Sequence, residues 1–476
     1  RQVTRVMMGI HPHCFSWSLE KGESFQTPEV VMVYSNDGLN KMSQTYHKLY
    51  QRRLARGKYR DQVRPILVNN WEATYFDFDE EKIMDIAGTA QKLGIELFVL
   101  DDGWFGKRNN DVAGLGDWYP NLQKLPSGIS GLSRKINNLG MKFGLWFEPE
   151  MVNKNSDLYR NHPQWILETP NRPSSHGRNQ FVLDFSNPEV VIYVYNMMTE
   201  VIDKANISYI KWDMNRCMTE VYSSCHDSES QGRVMHEYIL GVYQLYELLT
   251  SRFPEILFES CASGGARFDP GMMYYAPQCW TSDDTDALER LKIQYGTSMV
   301  YPVSSLGAHV SAAPNHQLLR NTPIETRANV AYFGTFGYEL DLNKLSMDEQ
   351  IKVKEQITFM KDYREIIQFG TFYRLKSPFE GNETVWMVVS QDQNTAIIGY
   401  YRTLQEVNVG YRRVKLLGLD PDKEYHVNLN NTVHYGDELM NLGLITTDSS
   451  CGENKEKYDG TNGDYLSRIY VLKAKI

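Results

Sequence analysis

Residues 80–104 read EEKIMDIAGTAQKLGIELFVLDDGW and contain the pattern that decides the fold. Apolar residues recur at helical spacing up to Gly94, a residue type that suits the end of a helix. The LFVL run that follows is apolar without interruption, which predicts a strand buried on both faces of a parallel sheet. Because Asp101 and Asp102 come next, polar groups directly follow the buried strand.

The same alternation of short apolar runs and longer helical segments continues along the chain. We predict eight strands, within PILVNNW (65–71), ELFVLDDGW (96–104), KFGLWFEPE (142–150), FVLDFS (181–186), YIKWDMN (209–215), EILFESCASGG (255–265), APQCWTSDD (276–284) and SMVYPVSSLG (298–307). Such a series predicts an α/β fold, a (β/α)₈ barrel of parallel strands that are each followed by a helix. An open, doubly wound sheet is the alternative, but no glycine fingerprint follows the first run.

The segments that flank the barrel have a different pattern. Residues 1–38 contain VTRVMMGI and VVMVYS, which predict strands and indicate the tail of an N-terminal β domain with a linker. We predict that the barrel occupies residues 39–368, starting with a helical segment at 39–56. Short strands separated by turn signals then predict an antiparallel β-sandwich over residues 369–476.

The composition excludes several classes of protein. The chain has 476 residues, of which 42% are hydrophobic and 23% charged, and its net charge is -9. These values exclude a disulfide mini-domain and a disordered chain, and they argue against nonspecific nucleic-acid binding. The cysteines form no CxxC pair, which favours a reducing cytoplasm over a zinc site or a disulfide framework. No apolar run is long enough to span a membrane.

The run YIKWDMN places three polar side chains on one face of a predicted strand. Lys211, Asp213 and Asn215 share that face because side chains alternate along a strand, whereas Trp212 and Met214 face the helices. A lysine beside a carboxylate lowers its pKa, and a carboxylate nucleophile must be ionised to attack. The alternative is that Lys211 and Asp213 form a purely structural salt bridge. Asn215, a third polar group on the same face, argues against this alternative.

A second acidic cluster follows the run at 276–284, in WTSDDTDALERL. A helix begins here, so Asp284, Thr285 or Asp286 suits its N-cap. Asp283 is left closest to the strand and could act as a general acid if its pKa were raised. Two carboxylates with opposed pKa requirements at one barrel mouth are typical of glycoside cleavage.

Asp101 and Asp102 are adjacent, so both can reach one site only if the backbone bends, which Gly103 permits. Paired carboxylates can bind the hydroxyls of a polyol, or they can bind a divalent metal. Metal-dependent barrel hydrolases usually add histidine ligands at strand ends, and none occurs here before His309. We therefore predict no metal and no cofactor.

Aromatic and small residues accompany the acids at the predicted strand ends. Trp71 and Trp146 could stack on a sugar ring, although packing against loops at the barrel rim is an equally good interpretation. Cys261 precedes Gly264 and Gly265 in SCASGG, where glycines would let the backbone approach a ligand. A catalytic cysteine would need a neighbouring histidine, and the sequence offers none there.

Five motifs, LDDGWFG, GLWFEPEMV, YIKWDMNR, ESCASGGARFD and WTSDDTDA, together resemble glycoside hydrolase family 36, the bacterial and fungal α-galactosidases. The resemblance extends from about Phe25 to Leu375. It implies a retaining mechanism with Asp213 as the nucleophile and Asp283 as the acid/base. The substrate-binding residues that it implies are Trp71, Asp101, Asp102, Trp146, Arg178, Lys211, Asn215, Cys261 and Gly264.

Three expectations follow from this resemblance. Arg178 lies before the predicted strand at 181–186, on the side of the barrel away from the mouth, so its loop would have to fold back over the mouth. Members of the family carry a large N-terminal β-supersandwich, and the present sequence begins near the end of that domain. The resemblance also implies a homo-oligomer, a tetramer in a full-length form.

The sequence therefore predicts a retaining α-galactosidase that acts on melibiose, raffinose and related galactose-containing oligosaccharides. A galactosyl transferase related to raffinose synthase and an α-N-acetylgalactosaminidase are alternatives on the same scaffold. A noncatalytic sugar-binding barrel and a metal-dependent hydrolase are alternatives from other classes. The paired carboxylates argue against the noncatalytic barrel.

Overall fold

The structure is a computed structural model that describes residues 3–407, 412–429, 431–446 and 463–475. The strands of its first part are β1 (Leu67–Asn69), β2 (Leu97–Leu100), β3 (Lys142–Phe147), β4 (Met151–Val152), β5 (Phe181–Val182), β6 (Tyr209–Trp212), β7 (Leu257–Ser260), β8 (Gln278–Trp280), β9 (Leu306–Ser311) and β10 (Thr335–Glu339). All of these except β4 and β5 pair in parallel and close a barrel in the order β1-β2-β3-β6-β7-β8-β9-β10. The predicted (β/α)₈ barrel is thus confirmed.

Two of the predicted barrel strands are wrong in detail. The run at 181–186 contributes only β5, which pairs antiparallel with β4 in a long excursion between β3 and β6. The run at 298–307 forms a helical turn first, and strand β9 begins only at Leu306. The last barrel strand, β10, was missed in the sequence; it pairs with β1 and β9 and closes the barrel.

The helices are α1 (Gly38–Leu49), α2 (Trp71–Thr74), α3 (Glu80–Leu93), α4 (Gly128–Asn138), α5 (Asp157–Asn161), α6 (Pro188–Lys204), α7 (Val234–Arg252), α8 (Pro270–Tyr275), α9 (Ala287–Thr297), α10 (Ile324–Ala331), α11 (Met347–Phe369) and, in the C-terminal part, α12 (Gly436–Asn441). Helix α3 has the ends that its sequence predicts. Asp79 accepts a hydrogen bond from the Lys82 N–H, and Gly94 ends the helix at φ 95°. Among the described residues, no helix combines the length and the apolarity that crossing a bilayer requires.

The core explains why the strand runs are apolar on both faces. In β2, Leu97 and Val99 belong to a small cluster with Tyr209 and Leu257, which come from other barrel strands. The alternate residues of β2, including Phe98, pack into the large core that the helices share. A barrel strand is therefore buried inside and outside, and only its carboxyl end is free to carry polar groups.

The segment before α1 differs from the prediction, since no strand occurs among residues 3–37. Its aromatic side chains instead pack on helix α7: the rings of Trp17 and Phe25 lie 5.6 and 5.1 Å from the ring of His236. Two short strands without partners are not stable alone, which agrees with the lack of strands in residues 3–37.

The predicted antiparallel β domain is confirmed at the C-terminal end. Its strands are β11 (Thr371–Lys376), β12 (Glu383–Val389), β13 (Thr395–Arg402), β14 (Arg413–Val414), β15 (Glu424–Val427), β16 (Thr432–Tyr435), β17 (Leu444–Ile445) and β18 (Leu466–Ala474). A six-stranded sheet runs β11-β12-β13-β18-β15-β16, and β14 pairs with β17 in a separate ribbon. Trp386 on one face packs into the barrel core, whereas Val385 and Met387 on the other face pack into a local core. The boundaries at 38 and 368 stay predictions.

Candidate active site

A cavity of ≈ 220 Å³ opens at the carboxyl ends of the barrel strands. Its lining consists of Trp71, Glu72, Asp101, Asp102, Trp146, Arg178, Lys211, Asp213, Asn215, Trp280, Asp283, Thr285, His316, Gln317 and Glu339. All of the predicted site residues except Cys261 and Gly264 are in this lining. The structure thus brings residues from widely separated parts of the sequence into one polar cavity.

Asp213 follows the last residue of β6 and lies buried in the cavity wall. Its Oδ2 accepts hydrogen bonds from Trp146 Nε1 at 3.1 Å and from Asn215 Nδ2 at 2.8 Å. Its Oδ1 accepts one from the Met214 N–H at 2.8 Å. Trp212 faces outward, as predicted, and stacks on Tyr246 of α7 at 3.9 Å. These contacts fix the carboxylate in one orientation.

The environment of Asp213 favours its ionised form. Burial raises the pKa of its carboxyl group, but the charge of Lys211 and hydrogen bonds from Cys261, Asn215 and the Met214 N–H offset this effect. As a result, the pKa of Asp213 lies below its ordinary value. An ionised carboxylate at this position is suited to attack an electrophilic carbon.

Lys211 lowers the pKa of Asp213, as strand spacing predicts, but its ion-pair partner is Asp101. Its Nζ lies 3.0 Å from Asp101 Oδ2, and Asn69 Nδ2 donates to the same oxygen at 2.6 Å. Burial lowers the pKa of Lys211, but the negative charges of Asp101, Glu339 and Asp213 outweigh burial and raise it well above its ordinary value. Lys211 therefore stays positively charged and acts on Asp213 through its electric field.

Asp102 pairs with an arginine that the sequence analysis did not single out. Arg108 donates to both Asp102 oxygens, with Nε 3.0 Å from Oδ1 and Nη2 2.8 Å from Oδ2. The guanidinium is fully buried and also donates to Asn153 Oδ1. Strand β2 has ended before Asp101, and Gly103 has φ 108°, so both adjacent acids reach the cavity.

Asp283 has the opposite electrostatic environment from Asp213. It lies at the exposed side of the cavity, where its Oδ1 accepts a hydrogen bond from Trp280 Nε1 at 3.0 Å. Although part of its surface meets solvent, the surrounding protein desolvates the carboxyl group and Asp213 adds a negative charge nearby. Both effects raise the pKa of Asp283, which favours the protonated form that a general acid needs.

Asp286 caps helix α9, in agreement with one of the sequence alternatives. Its Oδ1 accepts from the N–H groups of Leu288 at 3.0 Å and Glu289 at 3.1 Å, and its side chain also pairs with Arg320. Asp284 is only half-buried, and its side chain accepts a hydrogen bond from the Asp286 N–H at 3.0 Å. Neither Asp284 nor Asp286 lines the cavity.

Replacing Asp286 by alanine is expected to lower the free energy of unfolding by about 2 kcal/mol, the upper part of the range for a helix cap, because an ion pair is lost as well. Urea unfolding followed by circular dichroism measures the change. Asp284→Ala is the matched control and should cost about 0.5 kcal/mol or less. Equal losses in the two variants would contradict the assignment of the cap.

The structure accounts for the position of Arg178. Because the run at 181–186 is not a barrel strand, Arg178 belongs to the excursion between β3 and β6, which starts at the mouth of the barrel. Its backbone has φ 52°, in the left-handed region, and its side chain is exposed in the cavity. The expectation that this loop would need to fold back came from the wrong strand assignment.

The two tryptophans named in the sequence have different surroundings. Trp146 is buried, and its indole donates to Asp213, so at least part of its function is to hold that carboxylate. Trp71 is half-buried at the start of α2, and its ring meets those of Tyr75 and Phe76 edge-on at 5.2 Å. Trp71 is thus the more accessible aromatic surface for a sugar.

Cys261 and Gly264 lie outside the cavity lining but contact residues next to it or in it. The buried Cys261 thiol contacts Asp213, and burial together with the charge of Asp213 raises its pKa well above the ordinary value. The thiol therefore stays protonated and acts as a donor. A Cβ on Gly264 would lie 2.5 Å from Ser282 Cα and 3.0 Å from the Asp283 nitrogen, so only glycine permits this backbone contact.

Several cavity residues were missed in the sequence, namely Glu72, Trp280, Thr285, His316, Gln317 and Glu339. Glu339 ends β10, and recognising that strand would have revealed it. Burial raises the pKa of Glu339, but a hydrogen bond from His309 and the charge of Lys211 more than offset burial, so the carboxylate is ionised. His316 and Gln317 belong to a loop after β9, where no strand-end pattern could have identified them.

The fold and the paired carboxylates of opposite pKa shift are those of the barrel glycoside hydrolases as a class. The sequence profile of the Melibiase family matches residues 24–370, and that of the glycosyl hydrolase family 36 C-terminal domain matches residues 383–472. The chain therefore belongs to glycoside hydrolase family 36, as its motifs implied.

Individual relatives agree with this result. The chain is 56% identical over 470 residues to alpha-galactosidase AgaA of Geobacillus stearothermophilus, covering 99% of this chain and 63% of the relative. It is 47% identical over 470 residues to alpha-galactosidase Mel36A of Lactobacillus acidophilus, covering 98% of this chain and 62% of the relative. The chain thus spans less than two thirds of the length of these relatives.

Solved structures show the same likeness. The crystal structure of the Geobacillus stearothermophilus enzyme superposes with a TM-score of 0.94 at 56% identity, covering 98% of this chain and 63% of that chain. A variant of that enzyme in complex with raffinose also gives a TM-score of 0.94, at 55% identity and the same coverage.

Proposed function

We propose that the protein is a retaining α-galactosidase that removes terminal α-galactosyl residues from raffinose, melibiose and related oligosaccharides. The observation that carries the proposal is the presence of Asp213 and Asp283 in one cavity, with the pKa of Asp213 lowered and that of Asp283 raised. The substrate class is supported by the relatives, which include alpha-galactosidases and a complex with raffinose.

In the proposed first step, the Asp213 carboxylate attacks the anomeric carbon while Asp283 gives its proton to the departing glycosidic oxygen. The bond to the leaving group breaks as the bond to Asp213 forms, which leaves a covalent glycosyl-enzyme. The charge of Lys211 keeps Asp213 ionised for this attack. The hydrogen bonds from Trp146 and Asn215 hold its carboxylate in position.

In the second step, Asp283 is ionised and removes a proton from water, and the water oxygen displaces Asp213. Two inversions give net retention of configuration. Asp101 and Asp102 are proposed to bind sugar hydroxyls, with Arg178, Lys211, Asn215, Trp71 and Trp146 as further substrate contacts, and Cys261 and Gly264 as supports. The two carboxylates supply both nucleophile and proton, so no metal or cofactor is proposed.

One assay tests the proposal directly. The chain is incubated with melibiose, raffinose and a nitrophenyl α-galactoside, and proton NMR identifies the anomer of galactose that forms first. The proposal expects hydrolysis of all three substrates, initial release of α-galactose and no loss of activity with a chelator. Initial release of β-galactose would disprove the retaining mechanism. The cytoplasmic location and the homo-oligomeric state stay predictions.

Replacing Asp101 by alanine is expected to lower the preference for α-galactosides over α-glucosides by at least about 100-fold. The reason is that the buried Asp101 carboxylate is proposed to bind a galactose hydroxyl. A glucoside whose hydroxyl points elsewhere would leave that carboxylate without its hydrogen bond. Initial rates on nitrophenyl α-galactoside and α-glucoside give the ratio of kcat/KM values.

Asp101→Asn is the companion variant for this measurement. It keeps the size of the side chain and a hydrogen-bonding oxygen near Asn69, so it separates the loss of a hydroxyl contact from the loss of packing around Lys211. We expect an intermediate preference. An unchanged galactoside-to-glucoside ratio in both variants would show that Asp101 does not bind the discriminating hydroxyl.

A further inference from the structure

The cavity has a buried floor and an exposed rim. Asp101, Lys211 and Asp213 are buried, whereas His316 and Gln317 are exposed. Gln317 adjoins the proposed general acid, since its Nε2 donates to the backbone oxygen of Asp283 at 3.1 Å. If Asp283 protonates the glycosidic oxygen, the leaving group must lie beside this part of the rim.

His316 is held at one ring nitrogen and free at the other. Its Nδ1 lies 3.3 Å from Glu72 Oε1, and the side chain is 37% exposed. Among the described residues, its Nε2 has no hydrogen-bond partner. The hydrogen bond to Glu72 raises the pKa of His316 above its ordinary value, which favours the form with a donor on each ring nitrogen. His316 thus presents a fixed donor at the rim.

Glu72 is the buried partner that orients His316. Its side chain is only 3% exposed, and its Oε1 already accepts from Thr285 Oγ1 at 2.8 Å. Its Oε2 is buried and has no hydrogen-bond partner within the described parts of the chain. An atom with no accessible surface cannot meet a ligand, so Glu72 serves to position His316 rather than to bind a sugar itself.

The loop that carries these residues is anchored rather than loose. Asn315 is buried, and its Nδ2 donates to Thr285 Oγ1 at 3.1 Å. Its Oδ1 accepts from the N–H groups of Gln317 and Leu318, each at 3.0 Å. The positions of His316 and Gln317 are therefore fixed before substrate binds, which reduces the entropy cost of binding.

We infer that His316 and Gln317, with Glu72 orienting His316, form a subsite that binds the hydroxyls of a saccharide leaving group beside Asp283. The inference rests on the proposed function and identifies the class of leaving group as a neutral polyol. A sugar presents several hydroxyls to the donors of His316 and Gln317. A nitrophenyl group has no hydroxyls, so it cannot use these contacts.

The first test compares leaving groups in the variant His316→Ala. We expect kcat/KM for raffinose to fall by about 10-fold to 30-fold, the loss of a charged hydrogen bond, and by at least about fivefold more than for nitrophenyl α-galactoside. Gln317→Ala should shift the same ratio in the same direction by a smaller factor. Equal losses on both substrates, or no loss on raffinose, would overturn the inference.

His434→Ala is the matched control for this variant. His434 also pairs with a glutamate, Glu438, at 2.8 Å and is 30% exposed, but it lies in the C-terminal sheet and outside the cavity. Its replacement should leave the raffinose-to-nitrophenyl ratio at the wild-type value. A shift in the control as large as that in His316→Ala would count against the subsite.

The second test separates a sugar subsite from an indirect effect on Asp283. Nitrophenyl α-galactoside is hydrolysed in the presence of added glucose, and the yield of galactosyl-glucose is compared with that of galactose. Water and glucose attack the same glycosyl-enzyme and need the same base, so a change in Asp283 alone would leave this partition unchanged. A subsite predicts that His316→Ala lowers the transfer fraction by at least about fivefold.

The two proposals fail in different ways. If the wild-type chain hydrolysed no α-galactoside, the proposed function and the subsite would both be wrong. If it hydrolysed raffinose and nitrophenyl galactoside, yet His316→Ala changed neither their ratio nor the transfer fraction, only the subsite would be wrong.

Discussion

Replacing Asp213 by asparagine is expected to lower kcat on both oligosaccharides and nitrophenyl α-galactoside by at least about a thousandfold. The amide has nearly the same shape as the carboxylate but cannot attack the anomeric carbon, so no glycosyl-enzyme forms. Because the leaving group departs only as the bond to Asp213 forms, a better leaving group should not restore the rate. Initial-rate measurements on raffinose and on the nitrophenyl substrate test this expectation.

A direct readout of the covalent intermediate accompanies the kinetics. A 2-fluoro galactosyl substrate with an activated leaving group slows the second step, so intact-protein mass spectrometry should detect one added glycosyl group in the wild type and none in Asp213→Asn. Asp284→Asn is the matched control, because it makes the same change in a half-buried acid outside the cavity lining. Hydrolysis by Asp213→Asn within about tenfold of the wild type would contradict the assignment of the nucleophile.

The fold could be predicted because local patterns decide it. Strand β6 has a fully buried strand sequence followed by polar groups, and the structure places it where the pattern indicates. The strand predictions were wrong where an apolar run does not join the barrel, and where a barrel strand lacks an apolar run. The run at 181–186 is apolar because it packs into the large core, yet it pairs with Met151–Val152 and, through one isolated bridge, with Ile166 rather than with a barrel strand. Strand β10 was missed because its aromatic and glycine residues resemble a loop after a helix.

The candidate site could be predicted to the extent that its residues follow strands. Asp101, Asp213 and Asp283 do so and line the cavity. Pairing across the barrel could not be inferred from spacing, because the register between strands distant in sequence is set by closure of the barrel. The spacing correctly predicted that Lys211 lowers the pKa of Asp213, but it could not reveal that the ion-pair partner of Lys211 is Asp101. The roles of these residues stay proposals.

Arg108 and His316 illustrate what sequence patterns leave out. Both belong to loops, and each acquires its function only through a partner that the folded chain brings near, Asp102 for Arg108 and Glu72 for His316. An isolated basic residue in a loop is more often a surface residue, so composition gives no reason to select either one. The burial of their acidic partners is the distinguishing feature, and it is visible only in the structure.

Replacing Asp283 by alanine is expected to reduce kcat/KM on melibiose by at least about a hundredfold more than on nitrophenyl α-galactoside. A sugar alcohol is a poor leaving group and needs the proton of Asp283, whereas nitrophenolate departs without one. The wild type should also lose activity at high pH as Asp283 ionises, because the protonated form is the active acid. The raised pKa of Asp283 moves that loss to higher pH than an ordinary aspartate would show, and the variant should lack it on the nitrophenyl substrate.

The second step gives the strongest test of Asp283, because the same residue must activate water. Without that base the glycosyl-enzyme accumulates, and added azide should restore turnover of the nitrophenyl substrate, since azide needs no deprotonation and fits the space of the lost carboxylate. The product should be α-galactosyl azide, because azide attacks from the face opposite Asp213. Asp284→Ala and Asp286→Ala should show neither rescue nor leaving-group dependence. Rescue at Asp284 would move the acid/base by one residue, and a β-azide from Asp283→Ala would mean that no covalent intermediate on Asp213 precedes the azide.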